Sequence, residues 1–363
     1  MPRHPLSDFR PAVRTALPWI LVMRFLNNTG NRFPYSFLGA LSRGTGFSVE
    51  GIGALLALRD LSGLSAPLVG KLADTRGTER LMRTGAFCSV LALLFSSVGA
   101  WPFVIGSLAF GLAKVLFDIA MNSWIGHEVT YEMRGRAVGM TELTWAGAAI
   151  VGIPICGLLI DNLNWRAAPA VLGLAAIPGA LGVRRTLADS DGHSTQAGGR
   201  LRLTRPVVLT SVAVAAVSLS CQYVVVGHGL WLEDTYGFSP STVGFAVISI
   251  GVVEATATTL SARFTDQVGK RRSMLAGTTV QVIAISALAI FPSPPIGLGL
   301  IGLATAFLRI RVCLRFVAAA YRRTQPVGSR RRHRRRNRTR DARSGDRRSR
   351  GASCTNSAAS GLR

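Results

Sequence analysis

Of the 363 residues, 48% are apolar and only 17% are charged, well below the ~25% charged content of ordinary soluble chains. The formal net charge of +24 points toward nucleic acid only until it is located: beyond Leu308, eighteen arginines stand against Asp341 and Asp346, so +16 belongs to the tail alone. Five dispersed cysteines (Cys88, Cys156, Cys221, Cys313, Cys354) form no CxxC pair or His–Cys cluster, which argues against a disulfide framework or a zinc site.

A membrane-spanning helix needs about 20 predominantly apolar residues. Runs that meet this lie near 17–40, 50–70, 81–100, 102–124, 137–160, 167–184, 206–230, 241–262, 273–291 and 295–320. The first follows Arg3, Arg10 and Arg14 as a signal peptide would, but its apolar core Ala16–Met23 is short and Arg24 interrupts it. A retained first helix is therefore expected. The last begins apolar from Ile296 to Leu308 and then meets Arg309, Arg311 and Arg315.

Lysine and arginine gather in alternate connections. One set holds Lys71, Arg76, Arg80, Arg83, Arg134, Arg136, Arg184, Arg185, Arg200, Arg202, Arg205, Arg263, Lys270, Arg271 and Arg272; the other holds little beyond Arg43 and Arg166, beside Asp161, Glu233 and Asp234. This bias predicts that the N-terminus and the C-terminal tail are both cytoplasmic. The connection 185–205 carries Asp189, Asp191, Gly192, Gly198 and Gly199 and reads as a linker. It divides an N-terminal six-helix bundle (1–184) from an incomplete C-terminal bundle (206–320), ahead of a basic tail (321–363).

An internal repeat supports that division. Gly70-Lys-Leu-Ala-Asp74-Thr-Arg-Gly77-Thr-Glu-Arg80 aligns with Ala262-Arg-Phe-Thr-Asp266-Gln-Val-Gly269-Lys-Arg-Arg272. Parallel repeats of this length build transporter halves related by an axis along the membrane normal. Gly70 and Gly77 are expected to let the chain turn tightly between two helices, with Asp74 pairing to Arg76 or Arg80.

The stretch Gly70–Arg80 resembles the loop 2–3 signature of the major facilitator superfamily. Ala113-Lys114-Val115-Leu116 resembles its fourth-helix motif, with lysine where arginine is usual. Arg134–Gly139 is similar to the basic loop entering helix five, and Gly152-Ile-Pro154-Ile-Cys-Gly157 to the fifth-helix Gly-Pro motif of proton-coupled exporters. Trp165-Arg166 matches the short loop that often follows. The resemblance covers 15–308 and implies an all-α membrane protein, a helical bundle of about ten spans, six plus an incomplete second half. It further implies alternating access in the cytoplasmic membrane, with a small organic solute and protons as partners, no cofactor and no metal. Gly70, Asp74, Gly77 and Arg80, with Asp266, Gly269 and Arg272, become the gating motif, in which the aspartate latches one face partly against helix eleven.

Ionisable groups at the bilayer centre cost about 2.5–3.5 kcal/mol each on insertion scales, so each needs a reason. On the first helix Arg24, Asn28, Asn31 and Tyr35 form a polar stripe flanked by Asn27 and Arg32, with Pro34 permitting a kink. Since the first helix lines the cavity in the family resembled, these residues are candidate solute contacts; the alternative is a polar helix–helix contact. Lys114 and Asp118 stand four apart on one face, extended by Asn122, and Asp118 can take a proton when solute competes for Lys114. A structural pair that cancels the insertion cost is the alternative. Arg59 and Asp60 are neighbours and so are expected to point apart toward other helices. Glu254 is a lone carboxylate among Val253, Ala255 and Thr256, a candidate coupling group or a simple interhelical hydrogen-bonding group. Glu142, Gln222 and His228 are placed near helix ends, where interfacial position explains them.

Enzyme chemistry is not indicated. Gly297-Leu-Gly-Leu-Ile-Gly302 spells GxGxxG but lies in an apolar span with no preceding strand, where small residues serve close helix packing. No phosphate-loop lysine motif, HExxH or nucleophile elbow is present. The tail from 309 is expected to be disordered. A one-nucleotide frame change after Leu308 accounts for it, since codons for Leu308–Val317 can be chosen to continue an apolar helix. On that reading the chain is a truncated relative. A competing reading is a membrane-anchored protein that transports nothing and whose arginine tail binds anionic partners, lipid or nucleic acid.

Overall fold

The computed structural model describes residues 6, 8–187, 205–268, 270–290 and 293–305. Among them every regular element is helical, as backbone groups in lipid must find partners inside their own segment. Among the described residues a helix stands at each of the ten apolar runs, the tenth being described only as far as Thr305. The first run is α1 (Pro11–Ser36) and α2 (Leu38–Thr45), separated at Phe37, three residues beyond Pro34. The second is α3 (Val49–Asp60) and α4 (Ala66–Arg76), joined by a 3₁₀ turn at Leu61–Ser65. Then follow α5 (Thr78–Ser96), α6 (Ala100–Glu128), α7 (Tyr131–Gly147), α8 (Ile153–Asn162) and α9 (Ala167–Leu187). Past the linker come α10 (Arg205–Tyr236), α11 (Pro240–Val268), α12 (Lys270–Ile290) and α13 (Pro294–Thr305).

Local chemistry explains where these rods stop and bend. Gly46 takes a left-handed φ of 79° to end α2, and Ser48 then caps α3 by accepting from Gly51 N at 3.1 Å. α7 and α8 are one continuous rod interrupted by a π turn at Ala148–Gly152. The cause is Pro154, which brings no N–H and whose ring crowds the carbonyl four residues back, so the preceding turn widens.

Five of these segments are long and apolar enough to cross a membrane by length and composition: Val49–Arg76, Ala100–Glu128, Tyr131–Asn162, Ala167–Leu187 and Pro240–Leu260. α5 packs along α6 and α9, and α1 along α9 and α7, while α11 lies against α7 and α8. Small residues permit the closest of these approaches. A methyl group at Gly157 would stand 2.5 Å from Pro240 O, one at Gly244 3.0 Å from Pro154 Cα, and one at Gly251 3.0 Å from Ala146 O. The glycine-rich run of α13 does the same: at Gly302 a methyl group would meet Ile250 Cα at 3.1 Å.

Candidate functional site

α1 is the spine of the polar interior. Arg24, Asn28 and Arg32 recur every four residues, so they rise along one face, and each reaches a different neighbour. The Arg24 guanidinium donates to Asp118 Oδ1 on α6 at 2.8 Å and to Glu142 Oε1 on α7 at 3.2 Å, and its Nε donates to Thr141 O at 3.2 Å. Lys114 Nζ meets the other oxygen of Asp118 at 2.5 Å. Two cations and two carboxylates thus form one neutral cluster in which Asp118 is gripped from both sides. Its side chain keeps 25% of its surface open, against 10% for Arg24 and 14% for Lys114.

One turn further along, Asn28 Nδ2 donates to Thr144 Oγ1 at 3.0 Å. Next comes Arg32, which donates to Glu254 Oε2 on α11 at 2.9 Å and lies over the Trp145 ring at 4.8 Å. Glu254 is therefore not a lone carboxylate: its partner comes from the other half of the chain. His228 on α10 is buried, with Nε2 3.3 Å from Ser36 Oγ and Nδ1 2.5 Å from Val225 O. Interfacial placement explains neither His228 nor Glu142, which sits about three turns inside α7.

At the far end of α1, Tyr35 donates to Asp60 Oδ2. Arg59 and Asp60 do not point apart, since Arg59 Nε reaches Asp60 Oδ1 at 3.2 Å. Arg59 also donates to Asn31 O at 3.3 Å and lies over the Tyr35 ring. The start of the 3₁₀ turn at Leu61 helps two adjacent side chains converge. Asn31 thus contributes a backbone carbonyl here, and Asn122 is exposed rather than part of the Lys114–Asp118 pair's contacts. Asn27 is fully buried, with neither amide atom hydrogen-bonded.

The two halves also meet beyond Arg32. Arg43 on α2 pairs with Glu233 on α10, and Ser241 Oγ on α11 donates to Asp161 Oδ2 on α8 at 2.5 Å.

The sequence model of the Major Facilitator Superfamily matches residues 20–321. The chain belongs to that superfamily. A Bacillus subtilis (strain 168) protein described as the uncharacterized MFS-type transporter YwfA is 22% identical over 244 residues, 63% of this chain and 58% of its own length. The match therefore spans less than two thirds of that relative. In fold, the chain is similar to the crystal structure of a D-xylose–proton symporter, with a TM-score of 0.62 at 14% identity over 85% of this chain and 86% of that one.

As a superfamily member the chain is a multi-pass membrane protein, and its loop 2–3 signature can now be placed. Gly77 makes the turn between α4 and α5 with φ 90° and ψ 139°, a conformation only glycine adopts readily. Gly70 does not share in it: it lies inside α4 with open space where a side chain would go. Asp74 is half-buried and Arg80 exposed at this turn, and no ion pair to Asp74 occurs among the described residues. Gly269 and the side chains of Asp266 and Arg272 lie outside what is described, as does the arginine tail.

Sequence reasoning missed partners that join separate helices: Arg32 for Glu254, Asp118 and Glu142 for Arg24, and Ser36 for His228. The first had a signal, because Arg32 completes the four-residue spacing of Arg24 and Asn28.

Proposed function

We propose that this protein is a secondary active transporter that moves a small organic solute through alternating access, with proton-coupled export as its direction. The observation that carries the reading is Asp118 held between Arg24 and Lys114. While ionised, Asp118 together with Glu142 balances the two cations. Protonation removes its charge and leaves the cluster with one net positive charge, so Arg24 and Lys114 become available to polar or anionic groups of a solute. Solute and proton then stabilise each other's bound states, and that reciprocity is the thermodynamic requirement for coupling. Arg24, Asn28, Lys114 and Asp118 are the binding and coupling residues in this reading, with Asn31 and Asn122 as peripheral candidates.

Arg32–Glu254 joins α1 to α11 and so ties one half to the other. Two halves that rock must make and break such contacts, and Glu254 serves as a second protonatable group on that path. Gly152–Gly157 favours export through its similarity to the exporter motif, and the gating motif is assigned to Gly70, Asp74, Gly77 and Arg80 with Asp266, Gly269 and Arg272. The N-terminus and tail are assigned to the cytoplasmic side from the charge bias.

The test is solute-driven proton movement in everted vesicles containing the full chain, screened with small organic acids, amines and sugars. A solute that dissipates an imposed pH gradient supports the reading. Solute flux that persists unchanged when the gradient is collapsed contradicts coupling.

A further inference from the structure

At the end of the bundle opposite the arginine-rich connections, polar contacts join the two halves. Arg43 on α2 pairs with Glu233 on α10, Ser241 on α11 donates to Asp161 on α8, and Ser36 on α1 faces His228 on α10. The closest backbone approaches lie at the same level. Gly229 on α10 stands against the Ser36 carbonyl with no room for a methyl group. One at Gly157 would stand 2.5 Å from Pro240 O, and one at Gly244 3.0 Å from Pro154 Cα. The Arg43 side chain is 64% exposed, and exposed ion pairs contribute little. Glycine-permitted packing therefore holds this seam, with weak polar pairs at its rim, a construction able to part.

Exposure changes along the bundle in the same sense. Between Leu26 and Leu41 every residue except Asn31 is buried, whereas Thr15, Trp19 and Val22, nearer the N-terminus, are exposed. Asp118 keeps part of its side chain open. Asn122, one turn further along α6 toward the basic connection at Arg134, is exposed. The coupling cluster is thus covered on one side and opens toward the other.

We infer that the chain rests in the state open toward its arginine-rich face, and that the seam at Gly157, Gly229 and Gly244, rimmed by Arg43–Glu233 and Asp161–Ser241, is the closure whose parting exposes the cluster to the opposite face. This inference rests on the alternating-access reading above. For an exporter, it makes this the state that loads solute.

Thr144, half-buried and hydrogen-bonded to Asn28, sits at the level of the cluster, so Thr144→Cys reports access to it. An impermeant maleimide is applied to right-side-out and to everted vesicles containing the full chain, and labelling is followed at the peptide carrying position 144. Labelling should be fast from the arginine-rich face and slow from the opposite one. Adding Gly229→Leu should raise labelling from the opposite face. Gly227→Leu, two residues away with open space around it, should leave the pattern unchanged. Separately, Asp161→Cys/Ser241→Cys should form a disulfide on mild oxidation, read by peptide mapping, which tests the closure even where Gly229→Leu fails to fold. Equal labelling of Thr144→Cys from both faces, or faster labelling from the opposite face, overturns the assigned state. Absence of the disulfide, or an equal rise in Gly227→Leu, overturns the closure. These readouts involve no solute and no proton gradient, so a failure of coupling in the proton-movement assay leaves the inference intact.

Discussion

Arg32 on α1 and Glu254 on α11 lie 222 residues apart in sequence, yet Nη1 and Oε2 are 2.9 Å apart, with side chains only 5% and 1% exposed. Their pairing is a polar link between the two halves, and Trp145 covers the guanidinium from one side. A buried pair gains little over apolar packing, but removing one member strands the other charge in a low-dielectric interior.

Arg32→Ala should therefore lower stability by about 3–5 kcal/mol, and Glu254→Gln, which keeps a hydrogen-bonding group, should cost less. Thermal unfolding of the purified full chain in detergent, compared across both variants, checks the order. Equal midpoints for wild type and Arg32→Ala would show that the pair does not persist.

Gly77 and Gly70 provide a contrast within one motif. Gly77→Ala forces a side chain into φ 90° and should cost about 1–3 kcal/mol. Gly70→Ala, in a helix interior with open space, should be neutral or stabilising by up to about 1 kcal/mol. The same unfolding assay reads both, and the reverse order would contradict the turn assigned here.

Two glycines flanking an aspartate and basic residues look alike as turn formers, but α4 runs through Gly70 because no partner or φ constraint breaks it. The spans themselves were legible because apolar runs of membrane length are bounded by arginine clusters, and backbone satisfaction in lipid leaves only helices. Lys114–Asp118 was also legible, since four-residue spacing makes the contact local. Glu254–Arg32 was legible only in half: the four-residue spacing from Arg24 and Asn28 puts Arg32 on the stripe, but nothing local names a partner on a distant helix. Arg59 and Asp60 failed for a different reason, because the side-by-side rule for a regular helix does not hold where α3 gives way to a 3₁₀ turn.

Close packing between α8 and α11 makes a third prediction. A methyl group at Gly157 would stand 2.5 Å from Pro240 O, and backbone cannot give way as a flexible side chain can. Gly157→Ala should separate these helices locally and cost about 1–3 kcal/mol. Gly126→Ala, at a position with open space, is the control. Faster hydrogen exchange around Pro240 in Gly157→Ala alone is expected; matching exchange in both variants would contradict the contact.

Asp118, held by Arg24 and Lys114, is the centre of the functional account. Its most direct test is proton movement in everted vesicles, with wild type and Asp118→Asn compared for a solute found by the screen. The account predicts that Asn, which cannot carry the proton, abolishes pH-gradient-driven accumulation while solute exchange without a gradient survives. Undiminished gradient-driven accumulation in Asp118→Asn would contradict it.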